Sequence, residues 1–446
     1  MSDPRIDFIR RLSKRPSPAL NRAIEKSRAE DIAVAMSHIA PGNQRAIWAA
    51  IGNRDEKAAE VLACIESYEL PEVVQMIDFD QLIRLLKLME VDDEANVISY
   101  LPEELQNRIL EKLHSQERDQ VEHLLAYPEE SAGGLMHPDV IRMKEYNSCR
   151  DAIAMFQEAE DVEMAFYLYV ENDSEQLVGV VSLRALLTHP PSTPLKNFMI
   201  TEVITVLPED DQEDVAKLVS RYDLLAIPVV DHNRKLLGII TVDDVLDVIQ
   251  DIANKNMLLM AGVNEEHNPR DRNIFRAFQQ RFTWLLITLL GGIGMAELIG
   301  VFESALEKEA ALAGFIPVML GTGGNVGTQA ATIAVRNIAI GSFSSRDTLY
   351  MFFKEAQVGL LLGISFATVL GGYAFFKWHE TPYLAIAIAI SIITTVVCAA
   401  LLGMLVPITL DRLGIDPAVA TGPFVTTGID LVAILIYFTT CGAILD

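Results

Sequence analysis

The segment Gly422–Phe438, "GPFVTTGIDLVAILIYF", is apolar almost throughout but carries a carboxylate, Asp430, at its centre. A charged group in the middle of a membrane-spanning helix costs about 2.5–3.5 kcal/mol on insertion scales. Such residues face a protein interior or a water-filled path rather than lipid. The segment therefore predicts a transmembrane helix whose carboxylate lies on an ion path.

Four other segments after residue 280 have the same apolar character, and each is long enough to cross a hydrocarbon layer of about 30 Å as a helix. Arg336 is the only basic residue within the predicted spans, and it lies near one end of its span. An ion pair is therefore a poor explanation of Asp430. The sequence predicts an α-helical membrane domain over 281–446 with five spans: Phe282–Val301, Leu312–Ile340, Val358–Phe376, Tyr383–Leu410 and Gly422–Leu445.

The second predicted span contains residues that lipid should exclude. Its stretch Pro317–Asn337, "PVMLGTGGNVGTQAATIAVRN", holds a proline, a glycine cluster, Asn325 and Gln329. We expect this stretch to unwind or kink and to expose carbonyl oxygens, which is tolerated only against protein or a water-filled cavity. Close helix packing is the alternative use of the glycines. A phosphate loop is disfavoured, because no Lys-Ser/Thr pair and no preceding strand accompanies the glycines.

The 446 residues carry 61 Asp and Glu against 36 Lys and Arg, a formal net charge of −25. This balance argues against nucleic acid as a partner and favours cations. The four cysteines are too scattered for a disulfide framework or a zinc site, which indicates a cytosolic setting for the charge-rich part before residue 280. The N-terminus has no apolar core followed by a small-residue cleavage site, so we expect no removable signal peptide.

Two patterns divide the charge-rich part. From about Pro18 to Leu125, apolar residues recur at three- and four-residue spacing between short polar breaks. This spacing predicts short stacked helices, a small solenoid over 1–130. From Met136 to about Ile252, a βαβ-type pattern occurs twice.

The repeated pattern resembles a tandem pair of CBS domains, expected at 131–198 and 199–255. In such pairs a Gly-h-h-Ser/Thr-x-x-Asp turn often holds an adenosine nucleotide, and Gly238, Thr241 and Asp244 match it in the second copy. The first copy has Ala185 in place of the Asp. ATP is therefore a candidate ligand, although only the second of the two copies matches the nucleotide-binding turn. The simpler interpretation is a strand-to-helix turn capped by Thr241 or Asp243.

Three longer stretches resemble the signatures of the MgtE family of magnesium channels. They are Tyr127–Met136 ("YPEESAGGLM"), Pro317–Gln329 ("PVMLGTGGNVGTQ") and Asp416–Asp430 ("DPAVATGPFVTTGID"). The family's order of helical domain, CBS pair, linking helix and five spans also fits, with the linking helix at 256–280. The resemblance covers nearly the whole chain.

The resemblance implies a homodimer in a lipid bilayer with one ion path on its two-fold axis. It assigns Asp430 to the pore carboxylate that selects the ion, Asn325 to the pore lining and Asp416 to the cytoplasmic mouth. Magnesium gives up water reluctantly and takes octahedral oxygen coordination, so two symmetry-related Asp430 side chains would hold the hydrated ion. The predicted ion path consists of Asp430, Asn325, Thr426, Thr427, Gly324 and Gln329.

Two acidic clusters that regulate magnesium-gated members are incomplete. Asn96 replaces the usual second aspartate of the first cluster, and "ANKN" at Ala253–Asn256 stands where the family is rich in Glu and Asp. Fewer carboxylates weaken divalent binding, so we expect magnesium to close this channel weakly or only at higher concentration. The candidate regulatory metal ligands are Asp416, Asp92, Asp93, Asp244, Asp247 and Asp251.

Basic residues at the span ends favour cytoplasmic soluble domains and an external C-terminus in a bacterial inner membrane. Two alternatives remain open: an ion-coupled divalent cation carrier, and a membrane-anchored nucleotide-sensing CBS protein. Few ionisable residues lie deep in the spans, which favours a channel over a carrier, and Asn325, Gln329 and Asp430 argue against a pure anchor. Enzyme signatures are missing from the sequence of the membrane part. The basic residues placed inside are Arg281, Arg336, Arg346, Lys354 and Arg412, against Lys308 and Lys377 outside.

Overall fold

Contacts divide the chain into two compact units, Met1–Ile249 and Gln250–Asp446. The first unit contains the helical and βαβ patterns, and the second contains the apolar segments. The part of the chain that the computed structural model describes comprises residues 4–13, 17–52, 54–158, 166–263, 274–339, 345–379 and 381–445.

The first unit begins with short helices that stack on the second neighbour along the chain, as α1 does on α3 and α3 on α5. α7 (Phe79–Leu86) buries Leu82, Leu85 and Leu86 on one face. Helices of this length are marginal alone, so packing of these faces holds the array together. The expected series of short stacked helices is confirmed. The others are α1 (Pro4–Leu12), α2 (Pro18–Lys26), α3 (Ala29–Ser37), α4 (Pro41–Ile51), α5 (Asp55–Ala63), α6 (Leu70–Val74), α8 (Val91–Ser99), α9 (Glu103–Leu110) and α10 (Ser115–Leu125).

Two small sheets follow the helices. In the first, β1 (Arg142–Lys144) runs parallel to β2 (Tyr167–Glu171), which pairs antiparallel with β3 (Leu177–Ser182). In the second, β4 (Ala226–Val230) pairs antiparallel with β5 (Leu236–Thr241). Every residue of β4 is buried, as expected for the apolar run between two polar turns.

The two sheets repeat one design. The strand register shifts at Val170 in the first hairpin and at the equivalent Val229 in the second. Val206 makes a parallel bridge to Val229, in the place that β1 takes in the first copy. The predicted tandem repeat is confirmed. Its helices are α11 (Ala132–Leu135), α12 (Cys149–Glu158), α13 (Leu183–Thr188), α14 (Gln212–Tyr222) and α15 (Val242–Met260).

The stretch Tyr127–Met136 joins the helical array to the sheets. Ser131 caps α11 by accepting a hydrogen bond from the amide of Gly134 (3.3 Å). A Cβ at Gly133 would lie 2.5 Å from the Tyr127 ring, so this position has no room for a larger residue. The Ala132 amide donates to the carbonyl oxygen of Asp210 (2.8 Å), which ties the joint to the second CBS copy.

The second unit contains five helices that are long and apolar enough to cross a membrane, within the described residues. This agrees with the five predicted spans. The candidate spans are Arg281–Val301, Ala310–Ala339, Thr348–Lys377, Pro382–Arg412 and Val425–Leu445. They lie in α16 (Ile274–Val301), α18 (Ile316–Ala339), α19 (Ser345–Lys377), α20 (Pro382–Arg412) and α21 (Pro423–Leu445), with the short α17 (Glu303–Lys308) after the first.

The third span is longer than the sequence pattern predicts. Its candidate span begins at Thr348 rather than Val358, because α19 continues unbroken through a charged first part. This helix therefore includes Lys354 and the buried Glu355, so Arg336 is not the only basic residue within the spans.

The prediction that the second span unwinds or kinks is wrong. α18 is continuous from Ile316 to Ala339. The hydroxyls of Thr322 and Thr328 donate to the carbonyl oxygens of Val318 (2.6 Å) and Gly324 (2.9 Å) within this helix. The backbone carbonyls of the glycine stretch are therefore engaged in helix rather than loosened.

The glycines of α18 instead allow helices to approach closely. A Cβ at Gly403 in α20 would overlap the carbonyl oxygen of Gly327, so the two backbones are in direct contact. In the 3₁₀ segment Ala310–Phe315 before α18, the carbonyl oxygen of Leu312 accepts a hydrogen bond from the buried Tyr437 of α21 (2.9 Å). Helix packing, the alternative use of these glycines, is the one that the structure supports.

Residues 256–280, expected to form the linking helix, belong to more than one segment. α15 ends at Met260, and α16 begins at Ile274. Residues 264–273 between them lie outside the described residues.

Candidate ion site and regulatory cluster

Asp430 lies near the middle of α21, within the candidate span Val425–Leu445. Its Oδ1 atom is enclosed and accepts no hydrogen bond from the described residues. A Cβ at Gly324 would lie 3.4 Å from this oxygen, so the carboxylate contacts the glycine stretch of α18. An enclosed acceptor without a donor is costly, so this oxygen is a candidate ligand atom for a cation.

The other predicted path residues occupy different surroundings. Asn325 and Gln329 are one turn apart on α18, and both are exposed. Thr426 and Thr427 are partly buried on α21, where the methyl group of Thr427 fills the space left by Gly291 of α16. The structure therefore brings Asp430 and Gly324 together, and it places Asn325 and Gln329 on an outer face of the second unit.

Asp416 caps the turn that precedes α21. Its Oδ1 accepts a hydrogen bond from the amide of Ala418 (2.7 Å), at the start of the 3₁₀ segment Pro417–Thr421. Ala418 is buried against Val335 of α18 and Leu259 near the end of α15. The end of α15 thus packs within the second unit against the residues next to Asp416.

The first unit contains a cluster centred on His137, in the segment between α11 and β1. The Nδ1 atom of His137 lies 3.0 Å from Asp92 Oδ2 and 3.5 Å from Glu90 Oε2, and its Nε2 atom lies 2.8 Å from Asp244 Oδ2. Glu90, Asp92 and His137 could together hold a metal ion. Sequence reasoning selected Asp92 and Asp244 but missed Glu90 and His137. No local sequence pattern marks these two residues, because their partners lie far away along the chain.

Electrostatics tie this cluster together. Burial disfavours the charged imidazole, but hydrogen bonds to Asp244, Asp92 and Glu90 outweigh it and raise the pKa of His137. Burial, with a smaller effect of Asp92, raises the pKa of Asp93 to about 7. Burial opposes the charge of Asp244 as well, but the hydrogen bond from His137 outweighs it and lowers the pKa of that carboxyl.

The remaining predicted regulatory residues lie farther along α15. Asp247 and Asp251 are exposed, one turn apart on one face of the helix. Asp92, Asp93 and Asp244 are thus the predicted residues that the cluster around His137 brings together.

The predicted nucleotide turn is a hydrogen-bonded helix start. The amide and hydroxyl of Thr241 both donate to Asp244 Oδ2, at 3.2 and 2.5 Å. Asp244 therefore takes the capping role expected of Asp243 or Thr241. A Cβ at Gly238 would lie 2.5 Å from the carbonyl oxygen of His137, so strand pairing with His137 accounts for this glycine.

Five apolar helices, an enclosed carboxylate and a charge-rich part with paired CBS-type sheets fit a multi-pass membrane transporter with attached CBS domains. Residues 316–440 match the family model of a divalent cation transporter, MgtE. Residues 27–130 match the MgtE intracellular N domain, and residues 132–191 and 195–251 match the CBS domain.

Relatives support the same family. The chain is 32% identical to the magnesium transporter MgtE of Thermus thermophilus over 96% of this chain and 98% of that protein. It is 34% identical to the magnesium transporter MgtE of Bacillus subtilis over 78% of this chain and 77% of that one. It resembles a crystal structure described as the cytosolic domain of the Mg²⁺ channel MgtE in complex with ATP, with 30% identity, a TM-score of 0.50, and coverage of 55% of this chain and 99% of that one. The chain belongs to the MgtE family of magnesium transporters.

Proposed function

We propose that this protein is a homodimeric magnesium channel of the bacterial inner membrane, opened and closed by its cytoplasmic domains. The supporting observation is Asp430, whose enclosed Oδ1 has no hydrogen-bond donor among the described residues and contacts Gly324 of a neighbouring span. Two copies of this carboxylate across a two-fold axis would form an anionic ring. Such a ring binds a hydrated dication through oxygen atoms without stripping its water.

The exposed polar face of α18 fits this arrangement. Asn325 and Gln329 lie one turn apart on a membrane helix, where lipid contact would leave amide groups unsatisfied. A second copy of the chain and a water-filled path between the copies would satisfy them. Thr426 and Thr427 would add hydroxyl oxygens near Asp430.

The driving force is the membrane potential. A dication that moves inward gains roughly 4.6 kcal/mol per 100 mV, twice the value for one charge. This gradient supports passive import without a coupled ion. Observation of single-channel current steps would separate a channel from the ion-coupled carrier.

Regulation would act through α15. The first turn of this helix carries Asp244 of the cluster around His137, and Leu259 near its end packs against Val335 and Ala418. A change in the ions held near Asp244 would thus reach the segment that Asp416 caps. ATP at the turn of Gly238, Thr241 and Asp244 would act on the same helix.

We propose that the protein has five parts with the limits predicted from its sequence. Residues 1–130 form the helical domain, 131–198 and 199–255 the CBS pair, 256–280 the link and 281–446 the pore domain. The soluble domains lie in the cytoplasm and the C-terminus outside.

Growth of a bacterial strain without other magnesium importers tests the proposal. The wild-type gene restores growth in low magnesium, Asp430→Ala does not, and Asp430→Glu retains part of the function because it keeps the carboxylate. Thr439→Ala is the matched control, since its hydroxyl donates to the carbonyl oxygen of Leu435 in the same helix. Normal growth with Asp430→Ala at wild-type protein levels would refute the pore role.

A further inference from the structure

We propose that Glu90, Asp92 and His137 form a binding site for a transition-series dication such as Zn²⁺, Co²⁺ or Ni²⁺, rather than for magnesium. The site lies wholly in the first unit. Its regulatory consequence rests on the proposed function, but the binding itself does not.

The three ligand atoms converge from two parts of the fold. Glu90 precedes α8 and Asp92 lies in its first turn, whereas His137 lies between α11 and β1. One atom from each residue lies within 4.8 Å of the other two. His137 Nδ1 is 3.0 Å from Asp92 Oδ2 and 3.5 Å from Glu90 Oε2, close to the ligand separations around one metal ion with bonds of about 2.0–2.2 Å.

Asp244 holds the imidazole in the orientation that metal binding requires. Its Oδ2 lies 2.8 Å from His137 Nε2, on the side of the ring opposite Glu90 and Asp92. With the Nε2 proton donated to this carboxylate, a binding metal ion displaces the proton on Nδ1 to solvent and takes the Nδ1 lone pair, which is directed at Glu90 and Asp92. Metal-bound histidines commonly donate their second ring nitrogen to a carboxylate in this way.

The donor set selects the class of ion. One imidazole nitrogen with two carboxylates suits zinc and its neighbours, whereas magnesium prefers oxygen ligands and retains its water. The surroundings are also anionic, because Asp93 and Asp139 adjoin the three ligands. The nearby cation Arg142 is engaged elsewhere. Its guanidinium donates to the carbonyl oxygens of Leu236, Pro138 and Leu237 and approaches Glu171.

The bound ion would connect three segments of the first unit. Glu90 and Asp92 belong to the helical array, His137 to the entrance of the CBS pair, and Asp244 to the start of α15. A transition-series ion at this site would therefore fix the relation of the helical array to α15 even where magnesium is scarce.

Binding of Zn²⁺ to the untagged full-length protein in detergent, measured calorimetrically with millimolar magnesium present, tests the site. We expect one zinc site per chain, and we expect zinc to stay bound there in the presence of magnesium. His137→Gln should abolish this binding, and Asp244→Asn should weaken it about tenfold, within the range for groups that orient a ligand. His232→Gln is the matched control, because this exposed histidine pairs with a single carboxylate, Glu209 (2.8 Å).

X-ray absorption of the zinc-loaded wild-type protein provides a readout that needs no variant. One imidazole in the zinc shell supports the site. An oxygen-only shell, loss of zinc to magnesium, or unchanged zinc affinity in His137→Gln would overturn the proposal. Asp430→Ala should bind zinc here as the wild type does, so failure of the pore role and failure of this site give different results.

Discussion

At the scale of single residues, the burial of Glu94 makes the stability of the helical array depend on pH. Its side chain in α8 is almost fully buried, and Oε1 has no hydrogen-bond partner among the described residues. Burial, and to a smaller extent Glu117, raises the pKa of Glu94 to about 8 from 4.5. The folded state therefore holds a proton that the unfolded state has lost between these two values. The stability of this region should fall as the pH rises through that window.

Hydrogen exchange of α8 in the full-length protein measures this effect. We expect local opening to increase roughly tenfold per pH unit between pH 6 and 8, because one proton is released on opening. Glu94→Gln removes the titrating group and should abolish the dependence, whereas the exposed Glu103→Gln should leave it intact. Equal pH dependence in the wild type and Glu94→Gln would show that another group is responsible.

At the scale of elements, the contact between α18 and α20 depends on two glycines. Gly403→Ala places a methyl group on the carbonyl oxygen of Gly327, so the helices must separate. We expect a loss of about 1–3 kcal/mol, the usual range for overpacking, seen as a lower melting temperature in detergent. Gly372→Ala in α19 is the control, since a Cβ there meets no atom within 4 Å. Equal melting temperatures for the two variants would contradict the close contact.

The start of α21 offers a second test between elements. A Cβ at Gly422 would lie 3.6 Å from the carbonyl oxygen of Leu259 and 3.8 Å from Gly262, so alanine fits and leucine does not. We expect Gly422→Leu to increase hydrogen exchange at the end of α15 and to raise magnesium uptake at high magnesium, with Gly422→Ala near the wild type. Unchanged exchange in Gly422→Leu would show that this packing does not hold α15.

Elements were predictable to different degrees for physical reasons. Apolar length identified the five spans, because a bilayer requires about 20 apolar residues whatever the neighbours are. The start of α19 was missed, since its charged first part reads as a loop until packing buries Glu355. The glycines of α18 were expected to loosen the helix, but their outcome depended on Gly403, a contact that local sequence does not reveal.

The candidate site residues were also predictable to different degrees. Asp430 could be predicted, because one carboxylate in an apolar run stands out by itself. Glu90 and His137 could not, because their significance lies in convergence on Asp92 and Asp244 from distant parts of the chain.

At the scale of the whole molecule, we expect magnesium to close the channel weakly. The exposed Asn96 and the run Ala253–Asn256 stand where carboxylates would otherwise bind magnesium. We expect sub-millimolar magnesium to give little protection of the soluble part from protease, and Asn96→Asp with Lys255→Glu to increase protection. Asn43→Asp adds a charge elsewhere and should have no effect. Full protection of the wild type at sub-millimolar magnesium would contradict the prediction.

The central claim is that a dication passes beside Asp430, and magnesium flux into proteoliposomes tests it most directly. With an inside-negative potential and a magnesium-sensitive dye inside the vesicles, the wild type and Thr439→Ala should admit magnesium at equal rates. Asp430→Ala should reduce the rate to that of protein-free vesicles while the protein still inserts and dimerises. Wild-type flux through Asp430→Ala would contradict the account.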